Sequence, residues 1–129
     1  MDHSTQRQAI ITQIKAAFAN VRLEDGVGLR QAQGIDDYQS DETCRALRQR
    51  DEKEDWQKIP VKELEDCYSS LSFFDAKGMR FHLPAFMIAD LEGSYGPGAR
   101  FILTHLNDYT REQFSLLSSE QRAAVAAYL

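Results

Sequence analysis

One stretch constrains this chain more than any other. Before residue 71 the apolar residues recur at helical spacing. From Leu71 the pattern LSFFD, then AKG, then MRFHL alternates with period two: Phe73 and Asp75 ahead of the turn, Met79, Phe81 and Leu83 after it. Gly78 stands where a tight connection needs positive φ. The stretch therefore reads as a short β-hairpin at about residues 71–83. Two strands alone are marginal in water, so this hairpin must lie against helices. The predicted fold is mainly α (α+β), with roughly five to six helices packed around one short central β-hairpin.

The helices follow from spacing and punctuation. Ile10, Ile11, Ile14, Ala17, Phe18 and Val21 recur along an amphipathic helix beginning near Ser4. Leu29, Ala32, Ile35 and Tyr38 form a stripe on a second helix, Gly28 to Tyr38. A third, polar helix covers Ser40 to Glu52, with Ser40 or Asp41 as its cap. Pro60 and Pro84 each suit a first helical turn, where a missing N–H costs nothing. Gly93 is placed to stop the helix that Pro84 opens, and GSYGPGAR reads as a loop. FILTHLN is short and apolar and fits strand or helix alike. Ser118 or Ser119 caps a last helix, EQRAAVAAYL. No linker interrupts the 129 residues, which suit one domain.

Charge is segregated. Asp36 to Asp66 holds 11 acidic and 6 basic residues, a balance of −5 that equals the net charge of the whole chain. A solvated helix face laced with i, i+4 pairs would account for this, and so would a surface that steers and holds a basic protein. No basic stripe is visible, which argues against a nucleic-acid partner. No apolar run approaches the ~18 residues that cross a bilayer. The start, MDHSTQRQAI, lacks the basic and apolar regions of an export signal. A cytoplasmic location is therefore expected, with Cys44 and Cys67 as buried or half-buried thiols rather than the staple an oxidised compartment would allow.

Chemistry-bearing constellations are sparse. His3, His82 and His105 have no neighbours at ligand spacing, so no metal or other cofactor is expected. Asp51-Glu52-Lys53 resembles fragments of nuclease motifs, but it ends a polar helix. Asp75, Arg80 and His82 flank the hairpin turn and could do acid–base work. A salt bridge across the hairpin with a packed histidine is the commoner explanation. If Phe73 faces inward, Phe74 must face outward or toward a helix.

The central stretch resembles a family of small acidic bacterial proteins of unknown function. The residues that carry the resemblance are Asp36-Asp37-Tyr38, the run from Arg48 to Asp51, and Trp56 with Ile59-Pro60. LSFFD, Gly78 and RFHLPAFM follow, with the closing SSEQRAAVAAYL. The pattern amounts to D-W-x-x-I-P followed by L-S-F-x-D-x-x-G-x-R-F-x-L-P-A-[FY]. The resemblance implies a small cytoplasmic bacterial protein and brings no settled activity.

Size, acidity and the missing active site lead to the expectation of a non-catalytic immunity protein, one that silences a basic bacterial toxin domain. The residues expected to bind it are Asp36, Asp37, Tyr38, Asp41, Glu42, Asp51, Glu52, Asp55 and Trp56, with Tyr38 or Trp56 as the desolvated anchor. The rivals are an adaptor domain using the same face, a small enzyme built on Asp75, Arg80 and His82, and self-association through FILTHL. An enzyme would need His82 accessible.

Overall fold

The computed structural model describes residues 3–93 and 98–129. Along them run eight α-helices: α1 (His3–Ala17), α2 (Leu29–Asp36), α3 (Asp41–Arg50), α4 (Val61–Asp66), α5 (Ala76–Leu91), α6 (Gly98–Thr104), α7 (Asp108–Gln113) and α8 (Ser119–Tyr128). Two 3-10 turns, Trp56–Lys58 and Tyr68–Phe73, complete the path. The described residues contain no strand.

The expected hairpin at residues 71–83 is thus overturned, and the reason is physical. α5 is buried on nearly all sides, from Gly78 and Met79 through His82 and Phe86 to Ala89. A helix apolar all round shows no 3.6-residue stripe, so an accidental period-two alternation stood out instead. Asp75 is the N-cap of α5, with its side chain accepting from the Gly78 backbone N–H. Gly78 is not a turn glycine. A Cβ there would lie 2.6 Å from the Val27 carbonyl oxygen, so glycine lets the loop before α2 lie directly on the first turn of α5. Phe74 takes the helix-facing alternative, buried against α5 where it stacks on His82, and Phe73 is half-buried.

Pro84 lies inside α5 rather than at its start. Gly93 does follow that helix with φ +78, the left-handed conformation of a helix stop. The expected loop after it falls largely on residues 94–97, outside the described residues. The FILT portion of that segment resolves as helix at the end of α6, with His105 and Leu106 beyond it, and α7, capped by Asn107, is an element without an apolar stripe to announce it. Ser118 caps α8 through the Gln121 N–H, as expected.

α5 is the hub, packed by α1, α4, α6, α7 and the first 3-10 turn; α1 also packs on α8, and α2 on α3 and the second 3-10 turn. Polar side chains tie these layers at their ends. Gln113 Nε2 donates to the carbonyls of Leu71 (3.0 Å) and Phe74 (2.9 Å), and Ser70 Oγ donates to that of Leu29 (2.8 Å). Among the described residues no helix is long and apolar enough to cross a membrane.

Candidate functional site

The acidic segment divides into residues that hold the fold and residues offered to solvent. Asp51 belongs to the first group. It follows α3 and is buried against the N-terminus of α2, where its carboxylate accepts from the N–H groups of Arg30 (2.8 Å) and Gln31 (3.2 Å). It thereby satisfies two donors that α2 cannot satisfy itself. Burial raises its pKa, against those two hydrogen bonds, which lower it. A Cβ on Gly28 would fall 2.1 Å from Asp51 Oδ2, so the carboxylate fits only over a glycine.

Glu52 Oε2 accepts from the N–H groups of Glu54 (3.0 Å) and Asp55 (3.1 Å), which lower its pKa, and it closes the turn that follows. Asp55 caps the first 3-10 turn through the Gln57 N–H. Trp56 is buried, and its Nε1 donates to the Phe18 carbonyl at 2.9 Å. These four were expected to meet a partner. The structure places Asp51 and Trp56 in the core and gives Glu52 and Asp55 half-buried backbone duties.

Asp37, Tyr38, Asp41 and Glu42 are all exposed where α2 turns into α3. Asp36 lies half-buried beneath them, its carboxylate accepting from Ser69 Oγ at 2.8 Å. Ser40 caps α3 through the Thr43 N–H, and Asp41 and Glu42 fill its first turn, where the helix dipole favours negative charge. Tyr38 ends α2 in a Schellman turn. Gln39 N–H donates to Gly34 O (2.9 Å) and Tyr38 N–H to Ile35 O (3.1 Å). Tyr38 takes the left-handed position, φ 59, usually given to glycine. The residue is 96% exposed.

Beside it lies a shallow cleft of about 510 Å³, lined by Gln31, Ile35, Tyr38, Gln39, Asp41, Cys44 and Arg45. Ile35 was read as part of an inward stripe, yet it is exposed here. Gln31 and Gln39 were not singled out. Their signal was the tight spacing between α2 and α3, which places both helix ends on one edge.

The trio Asp75, Arg80 and His82 is not assembled as an acid–base site. Asp75 Oδ1 accepts from the N–H groups of Gly78 (2.8 Å) and Val27 (3.0 Å). Arg80 pairs with Glu24 at 2.8 Å. His82 is fully buried, stacked on Phe74 with ring centroids 4.4 Å apart, and its Nδ1–H donates to Gly78 O at 2.7 Å. Burial lowers its pKa to about 4. The accessible histidine that an enzyme would need is absent at this position. Cys44 and Cys67 are free and buried, and burial pushes the Cys67 thiol up to about 11.

These features define a helical domain with one strained, solvent-facing aromatic set among carboxylates. Residues 6–129 match the model of a family of unknown function, DUF6714, and the chain belongs to that family. No curated protein and no solved structure matches it.

Proposed function

We propose that this chain is a non-catalytic, cytoplasmic protein-binding domain of the immunity type, holding a basic face of a cognate toxin domain through Tyr38, Asp37, Asp41 and Glu42. One observation carries the reading: Tyr38. Its left-handed backbone costs about 1 kcal/mol that glycine would avoid, and its ring has almost no contact with the fold that would repay this. An exposed, pre-positioned tyrosine flanked by charge is what an interface anchor requires. The three carboxylates around it suit lysines and arginines at the mouth of a toxin's substrate site.

The finer resemblance belongs to the same reading. Asp55, Trp56, Asp75 and Gly78 of the D-W-x-x-I-P … D-x-x-G pattern cap helices, bond across the core or admit a close backbone. A core shared in that form would specify the scaffold and leave the Tyr38 surface to match individual partners.

The test is capture of a partner from the source cell on immobilised protein, at low and high salt. Wild type is compared with Tyr38→Ala, Asp41→Asn/Glu42→Gln and, as a control on α8, Glu120→Gln. The expected result is one basic protein held by wild type and by Glu120→Gln. Its capture weakens as salt rises, is several-fold weaker at low salt for Asp41→Asn/Glu42→Gln, and is lost from Tyr38→Ala. Retention by Tyr38→Ala would place the interface elsewhere and end this reading. A captured partner with no toxin activity would point instead to an adaptor on the same face.

A further inference from the structure

The core comes close to the surface between α6, α7 and α8. The four least-buried apolar members of the described core are Leu103, Phe114 and Leu117 at 8% exposure and Val125 at 9%. All four line a single cavity of about 540 Å³ between α6, α7 and α8. Its outer wall is Leu106 and Leu129, 49% and 56% exposed. The volume falls within the range of small-ligand sites, roughly 300–1,000 Å³.

The polar lining is one-sided. Two of the side chains around this cavity are charged, Arg111 and Arg122, and both are cationic, with Ser115 the one neutral polar side chain beside them. Arg122 is fixed at the edge because its Nε donates to the Leu117 carbonyl (3.2 Å) and its Nη2 to that of Phe114 (3.4 Å). Arg111 has Asp108 at 3.7 Å, but both side chains are open to solvent, so water weakens that pair and a better-placed anion can replace it. A guanidinium presents a donor fork that matches a carboxylate. An apolar cavity with two such groups at its edge discriminates by charge as well as by area.

We propose that this cavity is a binding site for a small amphipathic carboxylate, with an apolar body of fatty-acid type seated on Phe114, Leu117 and Val125 and its head group between Arg111 and Arg122. The site is separate from the Tyr38 surface, since it is built from α6–α8 rather than α2–α3.

Decanoate is the probe, used below its micelle concentration. Decyltrimethylammonium controls for tail adsorption and butyrate for the head group alone. Titration is followed calorimetrically and by methyl chemical shifts. Decanoate is expected to bind saturably at one site, with shifts at the Leu103, Leu106, Leu117 and Val125 methyls. Arg111→Gln, which leaves the Arg122 carbonyl bonds intact, should weaken binding about tenfold. Ala126→Phe, at an exposed lining position, should block it without entering the core. Equal binding of decyltrimethylammonium would overturn carboxylate recognition. So would shifts outside α6–α8, or no saturation. A dimer, in which a second copy covers the cavity and excludes decanoate, would overturn the assignment to a small molecule.

Discussion

Tyr38 shows how a single residue can be costly to the fold and still informative. At the left-handed position of the turn after α2, Tyr38→Gly removes a Cβ clash while loosening the unfolded chain slightly. The net expectation is a gain of roughly 0.5–1 kcal/mol. Thermal melts would read this as a higher Tm, together with lost partner capture. A lower Tm would mean the ring holds the fold after all. His82 gives the opposite kind of case, a titratable group with no outward role. Its pKa is depressed from 6.5 to about 4 because burial disfavours the imidazolium, and Nε2 has no hydrogen-bond partner. The unfolded chain therefore takes up a proton that the folded chain refuses. Stability is complete above about pH 6.5, falls as pH drops toward about 4, and from this group alone changes by on the order of 3 kcal/mol. Urea titrations from pH 7 to pH 4 would measure it. His82→Leu should flatten the slope over that window, and an unchanged slope would assign the effect to the carboxylates.

Among the elements, those with one apolar face were legible and the enclosed one was not. α1, α2, α3 and α8 lie where spacing and caps place them, because each faces the core on one side and water on the other. α5 has no fully exposed side, only half-buried positions such as Lys77, Arg80, Ile88 and Leu91, so its true marker was Asp75 three residues before Gly78, an N-cap placed directly ahead of an apolar run. The candidate surface was half legible for the same reason. Acidity located the segment, but sequence cannot separate a carboxylate facing water from one such as Asp51, which bonds to a helix end distant in sequence. Two substitutions probe these joints. Asp75→Ala leaves the Gly78 and Val27 N–H groups without their acceptor and should cost about 1–2 kcal/mol, read as a lower midpoint in urea. Gly28→Ala forces the Asp51 carboxylate off α2, with an expected loss of about 2 kcal/mol. If that clash is the cause, Gly28→Ala should cost much less in an Asp51→Ala background. Full additivity would refute the mechanism.

For the molecule as a whole, the proposed function makes the imbalance of charge and Tyr38 separate devices that should act on separate rates. The segment Asp36–Asp66 carries the entire net charge of −5, but Asp51 is buried, and Glu63 is paired with Arg30 at 3.2 Å. What a partner meets from a distance is the exposed remainder, above all Asp37, Asp41 and Glu42, joined by carboxylates in exposed pairs such as Glu54 with Arg22. Exposed charges act over a Debye length of about 8–10 Å at ordinary salt, so they steer the encounter and contribute little once contact is made. Under the proposed function Tyr38 is the reverse: neutral and short-range, it would act only after docking. With a captured partner in hand, Asp41→Asn/Glu42→Gln should therefore lower the association rate several-fold at low salt and leave dissociation nearly unchanged, the difference vanishing as salt rises. Tyr38→Ala should leave association near the wild-type rate and speed dissociation about thirtyfold or more, as for a lost interface anchor worth ~2 kcal/mol. Stopped-flow association and displacement-monitored dissociation over a salt series separate the two. If the carboxylate variant instead changes dissociation at every salt concentration, those side chains are desolvated contacts in the interface, and the partner must carry paired cations in a fixed geometry against them.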